Sequence, residues 1–470
     1  MARHSSNGRH NGMWVFPRAE EISSDLVRRT FAMPQGFRLA LAVSGLLLVL
    51  GVVGLVERLT RDGLANYAPW GYYMAIFSFV FMVTGAAPLA AVAFRFTKSH
   101  WRRPLSRVSE LFAVVGILNI LMFIPLMLVL PAIKDPASPA ADPVLRRTIW
   151  FEVPIGAPSW WDMLGVAFLA LLGLAILWLS ATPDMAEARP TSTGFRRKVY
   201  GLLAGHWCGA KRQWTIQKAG LAILGALYFM FLIYVQFIIV SDYGMSLVPG
   251  WKDSILPPHY TLTGFQSALG LVLIVLYVLR RWGGYRDYVG ISQFWSASKV
   301  LLGITLLWAY HLFAFGVTYW YGRIPTEQNI LKYFLFESYG GVFAANLLFS
   351  FFVPFLILLW NPVRKTAWGP TLAGLSALAG AFLYNLRIFV GSFNAGQIYK
   401  AALDTVPAAA WPDLWDIFIV LGGLGGAALL YLAATRLLPL ISIWETKEGT
   451  HYQDLRTFVR GEYLVLAKPE

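Results

Sequence analysis

Ten apolar runs separated by short polar stretches set the pattern of this chain. A run of about 20 apolar residues is long enough to cross a bilayer as a helix. The pattern predicts spans over 39–57, 72–94, 111–132, 163–182, 219–240, 261–279, 299–319, 340–360, 369–391 and 417–436. The turn Asn361-Pro362-Val363-Arg364-Lys365 makes the eighth and ninth spans antiparallel neighbours. Every loop is shorter than about 40 residues, too short for a soluble domain of ordinary size. The expected fold is an all-α integral membrane protein of about ten transmembrane helices. It divides into a tail at 1–38, a transmembrane domain at 39–440 and a second tail at 441–470.

The stretch from Gln236 to Tyr260 interrupts the apolar pattern near the midpoint. It carries Ser241-Asp242-Tyr243-Gly244, then Pro249-Gly250-Trp251-Lys252, then Pro257-Pro258-His259-Tyr260. Gly and Pro punctuate a backbone, so an ordered loop is expected here, capping a membrane-embedded site between two halves. A plain connector carrying interfacial aromatics is the alternative, since Trp and Tyr favour headgroup depth. The halves fall at about 72–240 and 261–391, two four-helix bundles with the first and tenth spans peripheral. No internal sequence repeat supports the division, which rests on helix count.

Charge fixes the expected orientation. The two tails and the even-numbered loops hold 27 Lys and Arg residues, against 9 in the odd-numbered loops. Positive residues concentrate on the cytoplasmic side, so both termini are expected there. The composition is 57% hydrophobic and only 14% charged, and mean hydropathy is +0.56. The net charge of +14 lies in loops between apolar spans, so a membrane surface accounts for it and nucleic acid does not. The single cysteine, Cys208, excludes an internal disulfide and a four-thiolate cluster. The first 38 residues are polar and basic, and no cleavable signal peptide is expected.

Ionisable side chains inside spans are costly and so become candidates for function. Arg387 follows Phe382-Leu383-Tyr384-Asn385-Leu386 near the outer end of the ninth span. It either snorkels to the interface or pairs with a buried carboxylate, with Asp242 as the first choice. His311 lies within the seventh span beside Tyr310, where a lone hydrogen-bonded histidine is the plain alternative. Gln236 and Asp242 mark the outer end of the fifth span, Asp162 the outer start of the fourth, and Glu337 with Tyr339 that of the eighth. Asp416 starts the tenth span, and Glu110 starts the third from the cytoplasmic side. Helix-end capping explains such acids one at a time, because the helix dipole favours them at N-termini. Their collection in the outer half is what suggests a site.

Several classes are excluded. Of seven histidines only His311 is expected deep in a span, which removes haem held by paired histidines. No phosphate-binding or dinucleotide glycine motif occurs in a strand–helix context. Gly422-Gly423-Leu424-Gly425-Gly426 suits close helix packing. The chain is therefore expected to bind no haem, iron–sulfur cluster or metal of its own.

Several stretches, in order along the chain, resemble the membrane subunits of the NrfD/PsrC type, and most closely the ActC subunit of alternative complex III. They are Pro69-Trp70-Gly71 with Phe79-Val80-Phe81, Trp101-Arg102 with Arg107 and Glu110, Ser159 with Trp161-Asp162, and Pro183-Asp184. The central loop agrees over Ser241-Asp242-Tyr243, Val248-Pro249-Gly250-Trp251, Ile255-Leu256-Pro257-Pro258 and Gly264, as does Asn385-Leu386-Arg387-Ile388-Phe389. No single motif is diagnostic, and the strength lies in colinearity. Two departures stand out. The chain reads Gly85-Ala86-Ala87-Pro88 where the family usually has a span-two histidine, and Leu130-Pro131-Ala132 where it has Gly-Arg-Pro. Both lie where the family's quinol headgroup would sit.

The resemblance implies a bacterial cytoplasmic-membrane subunit of a quinol-linked electron-transfer complex. It implies a bound quinone or quinol, menaquinol among them, and an extracytoplasmic iron–sulfur partner. A multihaem cytochrome c subunit and a second NrfD-like membrane subunit would complete the assembly, with a role in proton movement. The alternatives are a secondary transporter for a small solute or ion, or a structural anchor with a degenerate quinol site. The pocket expected is apolar-walled and in the outer half. Asp242 or His311 would accept a proton there, Arg387 would orient it, and Gln236, Asp162, Trp251 and Tyr310 would surround it.

Overall fold

A computed structural model of the chain describes residues 19–129, 148–152, 157–396, 400–458 and 461–466. Leu130, Pro131, Ala132, most of the third loop and the first 18 residues lie outside the described residues. Ten helices among the described residues are long and apolar enough to cross a membrane. Spans one to five are Gln35–Arg61, Ala68–Phe96, His100–Val129, Ala157–Ala188 and Lys211–Leu247. Spans six to ten are Leu256–Arg281, Ile291–Gly322, Gly340–Leu359, Trp368–Phe393 and Leu414–Ala434. Every predicted run falls on one of these helices, most of which extend beyond it. With ten crossings, both ends of the chain emerge on one face, called here the terminal face, and the odd-numbered loops lie on the far face.

Small residues decide which spans touch. Lipid tails are as apolar as leucine, so helices associate in a membrane through close packing instead of expulsion from water. Span two is the hub and lies against spans three, five, six, nine and ten. The apolar window of this helix is 83% buried, against 17% for spans one and seven. Spans six and nine approach most closely at Gly270 and Gly374, where an added Cβ on Gly270 would sit 2.9 Å from the Cα of Gly374. Spans four and five run side by side, and span three lies against span four. Spans one and ten form a pair of their own, because an added Cβ on Gly422 would collide with the Cα of Gly51. The glycine run of span ten thus serves helix packing, as its composition predicts.

The pair is also tied electrostatically. Arg58 of span one reaches Asp413 at 2.9 Å and Asp416 at 2.6 Å. Asp413 caps span ten by accepting from the Asp416 backbone N–H, which fits an acid at a helix N-terminus.

Helix Ala19–Phe31 precedes span one, and further short elements lie between or beyond the spans. Helix Gly194–Ala204 sits in the fourth loop, and helix Pro325–Leu331 runs into a π-helical turn at Lys332–Phe336 in the seventh. The chain after span ten, expected to be a plain tail, forms helix Ile443–His451. It then makes a short antiparallel hairpin pairing Gln453–Phe458 with Gly461–Leu466, the only strands among the described residues.

Candidate functional site

The central loop is shorter than the sequence suggests. Span five stays helical through Tyr243, and span six begins at Leu256, so the irregular chain is confined to the residues between. Gln236 is therefore well inside span five, not at its end. Pro257 and Pro258 occupy the first turn of span six, where proline's missing N–H costs nothing. This places His259 in a transmembrane helix. Asp253 organises the entry, its carboxylate accepting from the backbone N–H groups of Ile255 at 2.8 Å and Leu256 at 3.2 Å. Burial raises the Asp253 carboxyl above its ordinary value, and those two N–H groups hold the rise in check.

Behind this loop lies a narrow cavity of about 40 Å³, partly open to the outside. Its walls come from the loop, the 325–336 helix and spans six to nine. Trp251, Asp253 and Leu256 form the cap, with Phe315, Phe334 and Phe343 as the apolar sides. His259, Tyr384 and Arg387 supply the polar groups. The expectation of a site between the two halves is thus corrected, since no residue of spans two to five lines this cavity. Two π-helical turns border it, Lys332–Phe336 on one side and Leu386–Val390 on the other. Such wide turns are rare and recur at functional sites. The second of them carries Arg387.

Arg387 is 6% exposed, and no carboxylate pairs with it among the described residues. Its guanidinium lies over the rings of Phe343 at 5.1 Å and Tyr384 at 5.5 Å, and its Nε has no acceptor. The expected pairing with Asp242 does not occur. Snorkelling does not account for it either, because the side chain turns into the bundle. His259 is buried among Trp308 at 4.8 Å, Tyr384 at 5.5 Å and His311 at 6.3 Å between ring centroids. The His259 Nδ1 and the Tyr384 Oη are buried without hydrogen-bond partners. Buried polar atoms are nearly always partnered, so three such groups around one cavity make it the candidate ligand site.

A second constellation sits at the far-face ends of spans four and five. Asp162 is fully buried and neither carboxylate oxygen meets a donor. Its carboxyl lies against that of Asp242, whose Oδ2 accepts from the Trp161 indole at 3.3 Å. Trp150 donates to the Asp242 carbonyl at 3.0 Å and to the Ser246 hydroxyl at 2.9 Å, fixing the end of span five. Two facing carboxyls with no cation beside them can hold a proton between them.

The other sequence-predicted residues scatter. Trp251 lines the cavity. His311 stands behind His259 and is only half-buried, so it is not the one deep histidine of the chain. Tyr310 is 62% exposed and turns away. Gln236 donates to the Met82 carbonyl at 3.3 Å and ties span five to span two. Glu337 is exposed beside Lys332, and Tyr339 accepts from the Ala410 N–H at 3.2 Å. In place of a histidine in span two, Gly85 offers its carbonyl to Tyr228 at 2.6 Å.

At the terminal face, Glu110 belongs to a buried ionic cluster. Arg107 reaches Glu110 at 3.3 Å and Asp184 at 3.0 Å, all three fully buried. Glu445 of the C-terminal helix meets Arg95 at 2.9 Å and Arg102 at 3.0 Å. Trp444 beside it donates its backbone N–H to Asp184 at 2.9 Å. Burial alone would raise the Glu445 carboxyl, but Arg102 and Arg95 pull it down to about 2. Three arginines, Arg95, Arg102 and Arg107, thus face three carboxylates.

Ten spans, four of which wall a narrow cavity edged by unpartnered polar groups, define a polytopic membrane protein with a candidate site beneath its central loop. The chain belongs to the NrfD family: the family described as Polysulphide reductase, NrfD, matches residues 61–395. It is accordingly the membrane subunit of a quinol-linked oxidoreductase complex, and subunits of this family typically pair with an iron–sulfur subunit. The match takes in spans two to nine and leaves out the pair formed by spans one and ten. The chain matches no curated protein.

Proposed function

We propose that this chain binds a quinol, such as menaquinol, in the cavity around Arg387 and passes its electrons to an extracytoplasmic iron–sulfur subunit. The observation that carries the reading is the buried arginine without a carboxylate, beside a histidine nitrogen and a tyrosine hydroxyl that lack partners. A quinol becoming a quinone gives up two electrons and two protons. Arg387 can donate to one quinol oxygen, and the His259 imidazole can accept a proton from the other. Asp162 and Asp242 are a further acceptor pair on the same face. The apolar walls suit a quinone ring and exclude water from it.

In this reading the far face is extracytoplasmic and both termini are cytoplasmic, as the charge bias favours. Cys208 is free and exposed in the fourth loop, so a membrane-impermeant thiol reagent should label it only from the cytoplasm. The colinear likeness to ActC favours an alternative-complex-III-like assembly, with a multihaem cytochrome c and a second NrfD-like subunit. Copurification should bring both down.

The test of the pocket is quinol oxidation by the intact complex. Arg387→Ala and His259→Ala should each slow turnover by about 10- to 100-fold, the worth of a hydrogen bond to a charged or catalytic group. Asp242→Asn should slow it less. Full turnover in both Arg387→Ala and His259→Ala would sink this site. If Asp242→Asn alone abolished turnover, the quinol would belong at the carboxyl pair instead.

A further inference from the structure

The fourth loop holds a feature that the quinol reading leaves unused. From Arg189 to Lys218 the chain carries seven basic residues and no acidic one. Within it, helix Gly194–Ala204 is amphipathic in the helical sense, with Phe195, Val199, Leu202 and Leu203 on one stripe. That stripe faces away from the protein: Phe195 is 75% exposed and Leu202 82%. The opposite side is anchored, because Tyr200 is buried and donates to the Leu437 carbonyl at 2.6 Å.

A second hydrogen bond marks the depth of the helix. Trp178 donates its indole N–H to the Leu203 carbonyl at 2.9 Å. Span four continues from Trp178 to Ala188, about 15 Å further along the axis at 1.5 Å per residue. The C-terminal end of the helix therefore lies alongside the apolar part of a span, where exposed Leu202 and Leu203 meet acyl chains. Arg197 and Lys198 are exposed, and neither has a carboxylate partner among the described residues. An amphipathic helix lying at that boundary with free cations on it has the chemistry of an anionic lipid surface.

We infer that helix Gly194–Ala204 lies in the headgroup layer of the terminal-face leaflet and binds anionic phospholipid. The phosphates would meet Arg197 and Lys198, while Phe195 and Leu202 enter the acyl boundary. The inference stands apart from the quinol reading and does not depend on it.

The test uses the full-length chain, purified within its complex, in nanodiscs of phosphatidylcholine alone or mixed with phosphatidylglycerol. In a Cys208→Ser background, Leu202→Cys carries a polarity-sensitive fluorophore. Native mass spectrometry counts the lipids retained by the unlabelled protein. The expected result is an apolar signal at position 202 and preferential retention of phosphatidylglycerol. Replacing Arg197 and Lys198 by Gln should lower that preference by about fivefold per cation. Both cations are exposed, so the variant should fold, which unchanged thermal stability would show. A water-like signal at position 202 in both lipids overturns the inference. So does equal retention of the two lipids by wild type and variant. An apolar signal that disappears when a soluble protein is stripped from the complex would assign the helix to that protein, and overturn it too.

Discussion

The terminal-face arginine cluster and Arg387 at the far face differ in what meets the buried guanidinium. At the terminal face Arg95, Arg102 and Arg107 meet Glu110, Asp184 and Glu445, so each guanidinium has a carboxylate. At the far face Arg387 lies against two aromatic rings at the wall of the narrow cavity. Both arrangements withdraw charge from water, which is expensive unless a partner compensates. In the first the compensation is built into the chain, so the cluster locks spans two, three and four to the C-terminal helix. In the second the described residues supply no carboxylate, which is the feature the proposed quinol site rests on.

The contrast can be broken most severely at Arg107. Arg107→Ala leaves buried Asp184 without its cation and Glu110 with Arg95 alone, and a loss of about 3–5 kcal/mol is expected. Thermal unfolding in detergent or the yield of assembled complex measures it. Arg387→Ala should behave in the opposite way. It strands no charge and forfeits only its contacts with the aromatic rings, so stability should change by no more than about 1 kcal/mol while quinol turnover falls. A large stability loss in Arg387→Ala would mean that this arginine is structural after all, and would erase the distinction drawn above.

Acid sharpens the comparison further. The Glu445 carboxyl is depressed in the folded protein, to about 2, from an ordinary value near 4.5. A group lowered on folding contributes stability above its unfolded value and loses it as pH falls toward the folded one. Stability should therefore hold steady from neutral pH to about 5 and decline below about 4.5. Glu445→Gln should be less stable at neutral pH and should flatten part of that decline. If its acid profile overlays that of the wild type, Glu445 is not the group responsible. The smallest effect belongs to Lys332. Its contact with Glu337 is 3.9 Å long and both side chains are more than half exposed. Lys332→Ala should change stability by less than about 0.5 kcal/mol in the same assay.

The sequence displays the ten spans clearly because length and apolarity alone decide whether a helix can cross a bilayer. It also marks Arg387 and Trp251, since a charge in a span and a tryptophan in a loop are conspicuous in so apolar a chain. What it hides is partnership. Whether Arg387 meets Asp242 or Phe343 depends on which way a helix is turned, and hydropathy does not record rotation. His259 escapes notice for a local reason, because Pro257-Pro258 reads as loop punctuation and here opens a helix. That pair is itself the signal that could have found it, proline being favoured in a first helical turn. Tyr384 gives no signal at all. The C-terminal helix likewise looks like a polar tail until Glu445 is seen inside the arginine cluster.

The wide turn at Leu386–Val390 makes chain length matter more than residue identity there. Such a turn accommodates one residue more than a regular one, and each residue advances a helix by about 100°. Deleting a single residue between Leu386 and Val390 would remove that excess, restore regular winding and reorient the turn itself, Arg387 with it. The helix beyond would keep its phase, so Gly391, which lies so close to the Phe334 ring that even a methyl group would collide with it, would stay at that contact. A substitution in this turn changes one side chain, but a deletion changes where the turn aims its arginine. This stretch should therefore tolerate exchange of apolar residues far better than any change in their number.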